Sequence, residues 1–219
     1  MSVETRLDAA LASDAAVQTL FNELVAGGDT ADLTALVDRL LAAELPQTRV
    51  RQLFVNFVRT LTSLGLRSQG QSCFEETALH TLGKLKSQQL PNDEADYILR
   101  EALFEYYLSL GEYAEAAQVL SGINLESTSR VFTDAEKVDV LVKISEAFLE
   151  DVEHVEKAEL FVTKASALMN NVSDLALQLR YRTTSARVLD LNRKFVDAAQ
   201  RFYELSCMTN ANVTWASLG

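Results

Sequence analysis

An all-α fold built from stacked helical hairpins is predicted for this chain, and three observations predict it. One short pattern recurs: Glu115-Ala116-Ala117-Gln118-Val119-Leu120, Glu156-Lys157-Ala158-Glu159-Leu160-Phe161 and Asp197-Ala198-Ala199-Gln200-Arg201-Phe202 place Ala117, Ala158 and Ala199 41 residues apart at each step. The stretch preceding each motif keeps the same step, with Leu99, Val140 and Tyr181 in one set and Tyr107, Phe148 and Leu189 in another. Finally, two prolines and eight glycines in 219 residues are too few to turn a many-stranded sheet, while the helix formers Ala, Leu, Glu and Gln are plentiful. A period of this length marks helical repeats, whose hairpins bury their apolar faces only by stacking on one another. The expected architecture is a right-handed solenoid of TPR-like helical hairpins. In each motif the small residue (Ala117, Ala158, Ala199) lets a neighbouring helix approach, and the large residue three positions on (Leu120, Phe161, Phe202) fills the gap beside it.

Apolar spacing and capping signals place the helices in order. The first, 14–26, ends at Gly27-Gly28-Asp29, where glycine supplies a left-handed turn and aspartate caps the helix at 30–43. Pro46 suits the first turn of 47–64. Ser72-Cys73-Phe74-Glu75 has the form of a capping box opening 72–89, and Pro91-Asn92 breaks the chain before 93–110. The segment 112–121 carries the first repeat motif. A second capping box, Thr133-Asp134-Ala135-Glu136, opens 134–150, and helices at 153–169, 174–191 and 194–207 complete the series. The domain organisation expected is irregular helical repeats over 1–90, TPR-like repeats with the 41-residue period over 91–207, and a divergent tail over 208–219.

A formal net charge of −11 sets up a field that repels phosphate backbones and attracts basic surfaces. No nucleic-acid partner is expected; the acidic side chains either keep helical faces soluble or steer a basic partner. Hydrophobic content of 48% suits a folded chain, and no apolar run approaches the roughly 20 residues that span a bilayer, so no membrane partner is expected. Cys73 and Cys207 are far apart and the start, Met1-Ser2-Val3-Glu4-Thr5-Arg6, is too polar for a secretory signal, so a reducing intracellular home is expected. The glycosylation patterns at Asn171 and Asn212 carry no meaning there.

No catalytic, metal or cofactor-binding residue is assigned. Gly65-Leu66-Arg67-Ser68-Gln69-Gly70-Gln71-Ser72 nearly fits a phosphate-binding loop, yet Gln71 stands where lysine must neutralise phosphate, and a helix precedes it. His80 and His154 lack a second histidine or cysteine at helical spacing, so both read as surface or packing residues. The pairs Glu75-Glu76 and Glu150-Asp151 read as solvated. One basic stretch, Arg180, Arg182, Arg187, Arg193, Lys194 and Arg201, is interleaved with Tyr181, Phe195, Phe202 and Tyr203. Because those aromatics fall on repeat core positions, the stretch reads as a basic ridge for an acidic partner rather than a base-stacking platform.

Several segments resemble the COP9 signalosome subunit 4 family: Ala116-Ala117-Gln118-Val119-Leu120-Ser121-Gly122-Ile123, Phe148-Leu149-Glu150-Asp151, Lys164-Ala165-Ser166, Ala186-Arg187-Val188-Leu189-Asp190 and Arg193-Lys194-Phe195, continuing through Ala198-Ala199-Gln200-Arg201-Phe202-Tyr203-Glu204-Leu205-Ser206. The resemblance covers roughly 95–206; before residue 90 it extends to helical character and length. It implies a non-catalytic scaffold subunit of the complex that deneddylates cullins in cullin-RING ubiquitin ligases, with the chemistry on a different, zinc-dependent subunit. Other signalosome subunits and cullin-RING ligases are the partners it implies, and cytoplasm and nucleus the location. Family members continue into a winged-helix PCI module; residues 208–219 do not match that continuation, so a PCI domain is expected to be absent. A proteasome-lid scaffold of the same repeat class, a generic TPR-like adaptor and an enzyme in an all-helical shell are the alternatives.

Overall fold

The computed structural model describes residues 3–11, 13–43, 45–65, 71–87, 92–127 and 129–216, with the side chains of 4, 64, 65, 71, 72, 87 and 209–216 left aside. Every regular element among them is helical: α1 Val3–Ala10, α2 Asp14–Gly27, α3 Thr30–Ala42, α4 Gln47–Gly65, α5 Gln71–Ser87, α6 Asp93–Leu110, α7 Tyr113–Leu120, α8 Asp134–Phe148, α9 Val155–Leu168, α10 Leu175–Leu191 and α11 Phe195–Ala216. Short 3-10 turns at Val152–His154 and Met169–Asn171 flank α9. Among the described residues no helix is long and apolar enough to cross a membrane.

Two departures from the expected helices stand out. α1 escapes the periodic pattern because eight residues hold only one apolar step, Val3 and Leu7, yet both are buried. α11 runs past residue 207 to Ala216, through a stretch with no glycine or proline to stop it. The Gly65–Ser72 loop and the Ser72 capping box fall largely outside the described residues, as does Pro91. Asn92 caps α6 by accepting the Ala95 N–H at 3.3 Å.

The chain forms two compact units, Met1–Tyr106 with Ser127–Arg130, and Tyr107–Glu126 with Val131–Gly219. In the first, apolar stripes at helical spacing dictate the stacking. Leu20, Phe21 and Leu24 on α2, Leu33, Leu36 and Leu40 on α3, and Phe54, Phe57 and Leu61 on α4 are all buried. α2 packs on α3 and α4, and α3 on α4 and α5, so each helix meets both the next and the one after. Gly28, at φ +66°, makes the expected left-handed end of α2, its N–H donating to the Leu24 carbonyl, and Asp29 caps α3 by accepting from Ala31. Ser127 and Ser129 both donate to the Asp93 carboxylate, while Arg130 lies 3.8 Å over the Tyr97 ring, which ties this short segment to the start of α6.

In the second unit α7 packs on α8, α8 on α9 and α10, α9 on α10, and α10 on α11, so successive hairpins stack as a helical repeat requires. Val138, Leu141, Val142, Ala165, Val172 and Leu177 form its buried centre, with Phe161 and Tyr181 half-buried against them. The Thr133 capping box is complete: its hydroxyl accepts the Glu136 N–H and the Glu136 carboxylate accepts the Thr133 N–H at 2.8 Å. Such a cap contributes about 1 kcal/mol.

The repeat register also appears in backbone turns. After α6, Gly111 (φ +79°) takes the left-handed position, with Gly111 N–H donating to Leu108 and Glu112 N–H to Tyr107. After α10, two repeat steps later, Arg193 (φ +60°) takes that position, with its N–H donating to Asp190 and Lys194 N–H to Leu189. Both are Schellman turns, which favour glycine because a Cβ crowds the left-handed conformation by about 1 kcal/mol. Arg193→Gly is therefore expected to stabilise the chain by about 0.5–1 kcal/mol, read as a higher urea midpoint at unchanged slope. A lower midpoint would mean that the Arg193 side chain contributes more than its backbone costs.

Candidate functional site

The three motif copies do not share one fate. Ala117 and Ala158 are fully buried, Leu120 is 1% exposed, and Phe161 stacks on Phe148 with ring centroids 6.0 Å apart. In the third copy Ala199 is exposed and Phe202 is 43% exposed, contrary to the core role expected of them; Ala198 is buried in their place. The cause is geometric. Neighbouring residues point about 100° apart around a helix, and α11 packs on α10 through the face that carries Ala198. The neighbouring face, turned roughly 40–160° from Ala198, carries Phe195, Val196, Ala199, Phe202 and Tyr203, whose spacing of one, three or four residues makes a single stripe. Phe195 is 61%, Val196 83% and Tyr203 70% exposed, so the aromatics of the basic stretch lie mostly on the surface and not in the repeat core. Contiguous exposed apolar surface of this kind marks association sites.

The basic side chains separate into struts and a remainder. Arg180 on α10 spans to α8, with Nη1 donating to Asp139 at 2.8 Å and Nη2 to Glu146 at 2.6 Å; Glu146 foremost holds its pKa above the usual arginine value. Arg187 reaches Glu150 at 3.0 Å, and Lys194 reaches Glu159 at 3.2 Å, beside an Asn192 bond to the same carboxylate. These contacts tie α10 and its following turn to the two preceding helices. The expected ridge is therefore largely neutralised within the stack. Arg182 and Arg201 instead line a cavity of about 450 Å³ together with Ser166, Tyr181 and Ser185. Burial raises the pKa of the Tyr181 hydroxyl, which meets Ser166.

A second cavity, about 480 Å³, lies between α7, α8 and α9 and is walled by Leu120, Val140, Leu141, Ile144 and Phe161, with Lys137 and Lys164 at its edge. Lys137 pairs with Glu126 at 3.0 Å, and the Lys164 ammonium sits 5.0 Å from the Phe161 ring centre.

The remaining candidate groups are dispersed. His80 meets Asp38 at 3.1 Å, and Lys84 first, then His80, holds that carboxyl below its ordinary pKa. His154 meets Asp151 at 2.9 Å and stacks on Phe148; the Glu153 N–H first, then His154, lowers the Asp151 pKa. Cys73 is buried beside Thr77, Cys207 is exposed, and Glu75 accepts from Tyr106. Among the described residues, no three His, Cys, Asp or Glu side chains converge as metal ligands.

Antiparallel hairpins stacked in register, the last pair bearing an open apolar stripe, define a helical-repeat protein. A family model described as PSMD12/CSN4, N-terminal, matches residues 2–212. The chain belongs to that family. Its curated relatives include COP9 signalosome complex subunit 4 of Arabidopsis thaliana, 33% identical over 187 residues, with 85% of this chain and 46% of the relative covered. The protein of the same name in Emericella nidulans is 30% identical over 175 residues, covering 80% and 41%, and that of Neurospora crassa is 28% identical over 210 residues, covering 88% and 48%. The chain thus spans a little under half the length of these relatives.

Proposed function

We propose that the chain serves as a non-catalytic scaffold subunit of the COP9 signalosome, an interaction arm in the assembly that deneddylates cullins in cullin-RING ubiquitin ligases, acting in cytoplasm and nucleus. Family membership across residues 2–212, with curated relatives named as signalosome subunit 4, is the observation that carries this reading. The stripe on α11 supports it, because apolar side chains held in water at helical spacing gain most from packing against another helical subunit.

Affinity purification of the tagged chain from its own cells is expected to recover other signalosome subunits together with cullins. Recovery of neither sinks the proposal, and recovery of proteasome-lid subunits in their place transfers the chain to that assembly. Phe195→Asp with Val196→Asp is expected to cut subunit recovery at least tenfold while leaving the melting temperature of the isolated chain within about 2 °C, since exposed substitutions change stability little. Undiminished recovery would exclude the stripe as the docking surface.

A further inference from the structure

We propose that the cavity between the end of α9, α10 and α11 is a binding site for an oxyanion carried on a peptide, either a phosphate monoester or a carboxylate. Its lining residues include two arginines from different helices, Arg182 of α10 and Arg201 of α11, together with Ser185 and with Ser166 and Tyr181, whose hydroxyls meet each other. A guanidinium offers five N–H donors in a planar fork that matches two oxygens of a phosphate or carboxylate, and hydroxyls supply single further donors. Among the described residues no Asp or Glu lines the cavity.

The contrast with neighbouring cations sharpens the assignment. Arg180, Arg187 and Lys194 each meet a carboxylate of α8, of the turn after it or of α9 at 2.6–3.2 Å. Arg182 meets none among the described residues. Arg201 is shared with Glu204 one turn on, at 3.2 Å, in a pair whose side chains are 55% and 37% exposed. An exposed pair of this kind contributes about 0–1 kcal/mol and yields readily to a better-placed oxyanion.

The chain's net charge of −11 does not forbid this ligand. At physiological salt the field of a distant exposed charge fades over about 8 Å, so the cavity responds mainly to its own two arginines. The same net charge does disfavour a long polyanion, which must lie across acidic surface on either side, and so favours a single anionic side chain on a protein partner. A volume of about 450 Å³ accommodates such a head group with part of its stem.

The site is a property of this chain alone and does not rest on membership of the signalosome. Its test uses the purified full chain. Arginine Nε–H signals are followed by NMR during titration with N-acetyl-phosphothreonine amide and, separately, with N-acetyl-glutamate amide, chloride holding the ionic strength constant. Saturable shifts of Arg182 and Arg201 are expected with at least one probe, and the tighter probe identifies the source of the oxyanion. Arg182→Gln and Arg201→Gln should each weaken that binding about tenfold or more, the loss of a charge-assisted bond. Arg182→Lys should restore part of it, and Arg187→Gln, outside the cavity, should leave it unchanged. Backbone spectra report whether each variant is folded. Shifts that rise linearly at all arginines, or binding that survives Arg182→Gln in a folded protein, would overturn the proposal.

Discussion

Phe57→Ala is expected to cost about 3–5 kcal/mol, the range for removing a fully buried phenyl ring. Phe57 lies on α4 with no exposed surface and is the hub of an aromatic trio: its ring centroid is 5.4 Å from Phe21 of α2 and 6.3 Å from Phe54, both edge-on. That range already combines the transfer free energy lost with the ring and the cavity that its neighbours cannot fully close, and the two edge-to-face contacts place Phe57 toward its upper end. Because α2 and α4 pack directly, the damage reaches the first hairpins together. The measurement is urea unfolding followed by circular dichroism, with Leu79→Ala, a substitution at a 44% exposed position, as reference. A double-mutant cycle with Phe21→Ala should return a coupling of about 0.5–1.5 kcal/mol. A total loss below about 1 kcal/mol would mean that the site collapses freely and that the trio does not organise this unit.

Most helices were legible because burial in a stacked hairpin needs a broad apolar stripe, and stripes such as Leu53, Phe54, Phe57, Val58 and Leu61 repeat at helical spacing. Gly28-Asp29 and the Thr133 box were legible for a different reason: their chemistry is local, so the residues that read as caps are the residues that cap. α1 was not legible, since Val3 and Leu7 acquire meaning only from the helices that cover them. The candidate site was harder still. Arg180, Arg182, Arg187 and Arg201 look alike along the chain, and which becomes a strut depends on Asp139, Glu146 and Glu150 meeting them from about 35–40 residues away, one repeat period. With the 41-residue step in hand, one signal was available: residues 139 and 180 are one step apart and of opposite charge, whereas residue 141, one step before Arg182, is leucine.

A paired substitution tests the register that organises the second unit. Ala158→Leu should cost about 1–3 kcal/mol, because α9 holds Ala158 at zero exposure in a packed interior with no room for three more carbons. The same substitution at Ala199, one full repeat later, should change stability by no more than about 0.5 kcal/mol, since the side chain is exposed. Sequence periodicity alone treats these positions as equivalent; the structure makes them opposites, because a repeat position is buried only when a further helix covers it. Thermal unfolding of the two variants separates these views. A penalty confined to Ala158 follows from the burial described above. Equal penalties would require another helix over Ala199 in solution, and analytical ultracentrifugation of the Ala199→Leu variant would show whether a second copy of the chain supplies it, through the stripe of Phe195, Val196 and Tyr203.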